Sequence, residues 1–71
     1  MTSERIENCV YELRTKAGMT QEALAREVGV TRQTVIAIEK GNYIPSVLLA
    51  IKIAKLFKQP VEEIFKLKHE K

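Results

Sequence analysis

Residues 29–41 read GVTRQTVIAIEKG. Val30, Val35 and Ile38 recur at helical spacing and mark the inward face of one helix. Thr31 stands where an N-cap belongs, and Val30 and Val35 occupy the two positions of a hydrophobic staple around it. Gly41 closes the piece. The start of this helix is crowded with polar groups, because Thr31, Arg32, Gln33 and Thr34 follow one another. One cap is enough to begin a helix, so the other polar side chains point to something beyond folding.

The preceding residues repeat the device. Thr20 is an N-cap, and Met19 and Leu24 sit at its staple positions. Leu24, Ala25 and Val28 face inward, and Gly29 ends the helix. Only a few residues around Gly29 and Val30 join the two helices. That joint is too short for side-by-side antiparallel packing, so the helices cross steeply as a helix-turn-helix unit. Ala25 is small because the next helix crosses close to it, and Gly29 can take positive φ in the turn.

Three further helical pieces are marked off by glycine and proline. Ile6, Cys9, Val10, Leu13 and Ala17 form one stripe that predicts a first helix, with Gly18 just past its end. Cys9 lies in that stripe, which reads as a small buried hydrophobe rather than a reactive thiol. After the loop GNYIP, Ser46 caps a fourth helix with Val47, Ala50, Ile51, Ala54 and Phe57 as its core stripe, widened by Leu49, Ile53 and Leu56. Its outer line runs Leu48, Lys52, Lys55 and Gln59, where Leu48 is the apolar misfit. Pro60 precedes a short fifth helix with Glu62 and Glu63 in the first turn, where carboxylates suit the helix dipole. Ile64 and Phe65 are its anchors. The tail KLKHEK alternates and reads as a brief strand or a frayed end. The expectation is an all-α, five-helix domain over residues 1–71, with a short C-terminal strand as an option.

The chain has 71 residues, 45% hydrophobic and 30% charged, which suits one small globular domain. The net charge of +3 is unevenly spread. Residues 1–30 carry four basic and five acidic side chains, whereas residues 31–71 carry eight basic and four acidic ones. The C-terminal portion is therefore either a solvated lysine face or a phosphate-facing half. One cysteine excludes an intrachain disulfide and fits a reducing compartment. MTSERIE lacks the apolar stretch of a signal peptide, and VLLAI with IA, broken by Lys52, is too short to span a membrane. A cytoplasmic location follows as an expectation.

The stretch QEALAREVGVTRQTVIAIEK, Gln21 to Lys40, resembles the helix-turn-helix of the lambda repressor and Cro family, the XRE-type regulators. ELRTKAGMTQEALA is similar to the family's passage from helix one to helix two, and IEKGNYIPS to its passage from helix three to helix four. LAIKIAKLF and VEEIF resemble its closing helices. Roughly residues 8–65 are covered, leaving 66–71 as a tail. The resemblance implies that helix three lies in the major groove of double-stranded DNA with its N-terminal residues on base edges. Arg32, Gln33, Ile36 and Ala37 then read bases. Arg32 can fork onto guanine, Gln33 can pair with adenine, and Ile36 and Ala37 can meet thymine methyls. Thr20, Gln21, Thr31, Lys40, Asn42 and Tyr43 surround them as phosphate contacts. Gln21 is implied to brace Gln33 as well, while Tyr43 also reads as a packing residue and Asn42 as a positive-φ loop residue. Family members commonly dimerise on palindromic operators, which implies a homodimer through helix five and the tail by way of Ile64, Phe65 and Leu67, with Leu48 contributing.

Other functions fit less well. An enzyme needs a cluster of titratable groups, and this chain has one histidine, His69, and one cysteine in a core stripe. It shows no zinc-ligand spacing and no glycine-rich phosphate loop, so neither a metal nor a cofactor is expected. An antitoxin-type or other protein-interaction module on the same fold is the alternative, and a scaffold without a DNA role is a third reading. The expectation is a DNA-binding transcriptional regulator acting as a repressor on the nucleoid, with no small-molecule ligand.

Overall fold

The computed structural model describes residues 3–70. In chain order the elements are β1 (Ser3–Asn8), α1 (Val10–Lys16), α2 (Gln21–Val28), α3 (Arg32–Glu39), α4 (Val47–Phe57), α5 (Val61–Ile64) and β2 (Phe65–Glu70). Five helices and a two-stranded antiparallel sheet make up the fold. No helix among the described residues is long and apolar enough to cross a membrane.

Three of the helices start on a side-chain cap. Thr20 accepts from the Ala23 amide, Thr31 from that of Thr34 and Ser46 from that of Leu49. Each replaces a backbone acceptor that the first helical turn lacks. Gly18, Gly29 and Gly41 all have positive φ, as their places after helices one to three predict. At α3 the Gly41 amide bonds Ile38 O and the Asn42 amide bonds Ala37 O, a Schellman closure. Asn42 is therefore not the positive-φ residue of that loop; Gly41 is, at 80°. Lys58, at 57°, is the one non-glycine residue with positive φ among those described, where α4 ends.

Val10, Leu24, Val35, Ile38, Ile53 and Ile64 are fully buried at the centre of the core. α2 and α3 cross over this centre, and α4 closes it from below. The stripe of α4 is rotated from the expected one. Leu49, Ala50, Ile53 and Ala54 face the core, while Val47 and Ile51 are exposed. The larger side chains of the Leu49–Ile53 line fill the space under α2. The opposite edge of the helix keeps its apolar residues in solvent.

The chain termini depart most from a purely helical reading. Ile6 does not begin a helix: it lies in β1, and α1 starts only at Val10, with Ala17 exposed. The tail forms a strand as far as Glu70, Lys71 lying outside the described residues, and α5 shrinks to a single turn because Phe65 already belongs to β2. The register pairs Ile6 with Leu67 and Asn8 with Phe65 on one face, and Arg5 with Lys68 and Glu7 with Lys66 on the other. Glu7 ion-pairs with Arg5 at 3.0 Å and Lys68 at 3.9 Å, and Glu4 meets His69 at 3.3 Å. A lone two-stranded sheet is marginal in water, and two anchors hold this one. Asn8 donates to Ile38 O at 3.0 Å and accepts from the Val10 amide, tying β1 to α1 and α3. Ile64, just before β2, is buried in the core.

Candidate nucleic-acid interface

α3 presents two distinct faces. Val35 and Ile38 are buried beneath it. Arg32, Gln33 and Lys40 are exposed, and Ile36 and Ala37 are half-buried between them. At roughly 100° per residue these five fall within about 140° of arc, away from the core. Thr31 and Thr34 belong to the start of the helix: Thr31 caps it, and the two hydroxyls lie 3.1 Å apart in a mutual hydrogen bond. Of the four consecutive polar residues, two therefore serve the fold and two, Arg32 and Gln33, are presented to solvent.

An open pocket of about 420 Å³ lies beside them at the N-terminus of α2, lined by Arg14, Thr20, Gln21, Glu22 and Arg32. The Gln21 and Glu22 amides precede the first intrahelical bond and suit an anion. Lys40, Asn42 and Tyr43 lie exposed past the other end of α3. Tyr43 also lines a shallow cleft with Thr34 and Leu48.

One part of this region was not singled out in the sequence. Arg14 is buried, and its guanidinium forks onto Glu39, with Nε to Oε2 at 2.6 Å and Nη2 to Oε1 at 3.2 Å. Its Nη1 donates to Met19 O, and it lies 5.3 Å from the centroid of the Tyr11 ring. The hydrogen bond to Glu39 raises the Arg14 pKa above its ordinary value; burial opposes this, and the charges of Glu39 and Tyr11 assist it. Gln21 donates to Glu39 Oε1 at 3.1 Å and accepts from Arg32 Nε at 3.4 Å. Gln21 thus braces Arg32; among the described residues no hydrogen bond joins it to Gln33. A signal was present in the sequence. Arg14 follows Val10 by four residues and Glu39 follows Val35 by four, so opposite charges occupy two core-facing positions.

The four residues expected at a dimer contact do not share one surface. Ile64 is 1% exposed and belongs to the protomer core, which removes it from any interface. Phe65 is half-buried against that core. Leu48 and Leu67 are exposed.

A Helix-turn-helix family model matches residues 10–64, which contain α1 to α5. The chain belongs to this family, in its lambda repressor and Cro type. Members are DNA-binding regulators of transcription, and this protein is one of them. Among its relatives, YgzD of Bacillus subtilis, an HTH-type transcriptional regulator, is 55% identical over 65 residues, covering 92% of this chain and 98% of that protein. The CTXphi phage transcriptional repressor RstR of Vibrio cholerae is 33% identical over 55 residues, covering 78% of this chain and 50% of RstR. The restriction-modification controller protein C.AhdI of Aeromonas hydrophila superposes with a TM-score of 0.70 at 33% identity, covering 76% of this chain and 82% of that one.

Proposed function

We propose that the protein is a sequence-specific repressor that lays α3 in the DNA major groove and blocks promoter access. The observation that carries this reading is the first turn of α3, where Arg32 and Gln33 stand exposed above the buried Val35 and Ile38. A helix start so pinned projects its polar side chains onto base edges. Arg32 takes a guanine through O6 and N7, Gln33 takes an adenine, and Ile36 and Ala37 meet thymine methyls. Thr20 and Gln21 at the start of α2, together with Thr31, hold phosphate on one side, and Lys40, Asn42 and Tyr43 hold it on the other. The likeness to RstR, a phage repressor by name, supports the negative sign of regulation.

The functional unit is a homodimer on a palindromic operator, acting in the cytoplasm on the nucleoid. Selection of bound fragments from random double-stranded DNA tests the reading. The expected outcome is an enriched palindrome whose half-sites lie about one DNA turn apart. Recovery of unrelated fragments with no shared sequence would reject sequence-specific binding.

A further inference from the structure

The buried ion pair beneath α3 ends at the residue assigned to base reading. The polar chain runs Arg14, Glu39, Gln21, Arg32, each joined to the next by a hydrogen bond. The chemistry of its members fixes its direction. A carboxylate only accepts, so Gln21 must turn its NH2 group toward Glu39. Its carbonyl oxygen then faces the other way and accepts from Arg32 Nε. Arg32 is thereby held through its inner nitrogen, which leaves its two terminal nitrogens as the fork that matches guanine O6 and N7.

We infer that Glu39 is a specificity-determining positioning residue: clamped by Arg14, it sets the orientation of the Gln21 amide, and that orientation presets Arg32 for guanine. This inference rests on the assignment of Arg32 as a base reader. It concerns the free protein, before any DNA arrives. An arginine already held in its reading geometry loses less side-chain freedom on binding than a loose one.

The isosteric change Glu39→Gln inverts the signal. The 2.6 Å bond from Arg14 Nε is shorter than the 3.2 Å bond from Nη2, so the oxygen stays at the Oε2 place and the new amide nitrogen takes the place of Oε1, giving up the Nη2 bond. That nitrogen presents hydrogens to Gln21, which turns its carbonyl to meet them. Its NH2 group then faces Arg32 Nε, donor against donor, and Arg32 is released. Gln21→Met removes the link by another route and keeps the Arg14–Glu39 pair intact, so it decides the matter if Glu39→Gln fails to fold.

The test measures affinities for the selected operator and for its single-base variants, in the parent, Arg32→Ala, Glu39→Gln, Gln21→Met and the Glu39→Gln/Gln21→Met double variant. Arg32→Ala identifies the base pair that Arg32 reads. At that base pair alone, Glu39→Gln and Gln21→Met each lower the discrimination about three- to ten-fold, and the double variant lowers it no further. A purely structural ion pair weakens binding to every sequence in proportion and leaves the ratios intact. Unchanged ratios in Gln21→Met, while Arg32→Ala relaxes one position, would overturn the inference and leave the base-reading assignment standing. Unchanged ratios in Arg32→Ala would remove both.

Discussion

Arg32 makes one hydrogen bond among the described residues, through Nε to Gln21, which leaves its terminal donors to a ligand. Gln33 on the same turn is exposed. Replacing either by alanine should cost about 1–3 kcal/mol on the best site and relax preference at one base position. Binding to a panel of single-base variants checks this, and an unchanged preference in both variants would remove the assignment. Lys40, exposed at the end of α3, carries charge without a planar fork. Lys40→Ala should weaken binding to all sequences alike and flatten the salt dependence by about one charge. A shift in the preferred sequence would make Lys40 a base reader instead. Glu39 follows Arg32 by seven residues along the same edge of the helix, with its side chain buried against Arg14, and its complete removal acts on the fold. Glu39→Ala strands a buried guanidinium and should cost about 3–5 kcal/mol in chemical unfolding, a large fraction of the stability of so small a domain. The exposure of Arg32 and Gln33 was legible in the sequence because polarity at a helix start exceeded what capping needs. The buried pair left only the weak signal of opposite charges at two core-facing positions, because a charged residue is ordinarily counted as surface and only the crossing of α1 and α3 brings Arg14 to Glu39.

Among the elements, the turn between α2 and α3 sets the angle of α3. Gly29 there has φ 76° and ψ 36°. A Cβ added at Gly29 meets no atom within 4 Å, so the barrier to substitution is backbone conformation and not crowding. Gly29→Val should therefore destabilise the domain by about 2 kcal/mol, since a β-branched residue fits the left-handed region badly. In a domain of this size that lowers Tm by roughly 8–16 °C, and Gly29→Asn should lose much less. An unchanged Tm in Gly29→Val would mean that the turn adopts another conformation in solution. The caps, the staples and this turn could be read from sequence because each depends on neighbours a few residues away. β1 could not. Ile6 fits a helical stripe with Cys9, Val10 and Leu13 as well as it fits a strand, and its partner Leu67 lies at the far end of the chain. The α4 stripe was ambiguous for a different reason. Nine of its eleven residues are apolar, so periodicity alone does not choose the buried side.

For the whole molecule, the proposed base contacts are few for a specific site. Two bidentate readers at about 1–3 kcal/mol each fall short of the roughly 4–10 kcal/mol that separates specific from non-specific binding. Doubling the reading surface by a two-fold axis closes that gap. The protomer offers an unpartnered apolar face for the purpose. Val47 is 75% exposed and Leu48 65%, one turn from the exposed Ile51 and just after the exposed Ile44 in the preceding loop. Leu67 on β2, 54% exposed, is a second apolar point, whereas Ile64 is out of reach inside the core. Small soluble domains seldom leave so many large apolar side chains of one helix uncovered, and Lys52 and Lys55 follow them along α4. The proposed dimer contact therefore falls on the outer edge of α4 rather than on helix five, and Leu67 on β2 is a separate candidate. Leu48→Glu and Leu67→Glu place a charge in the proposed contact at positions already exposed, so neither disturbs the protomer core. Leu48→Glu should shift sedimentation at tens of micromolar from dimer to monomer and reduce affinity for the palindrome to that for one half-site. Leu67→Glu should do so only if β2 takes part. A parent that sediments as a monomer at that concentration, and binds the palindrome no better than a half-site, would leave α4's outer edge without a dimer to explain it.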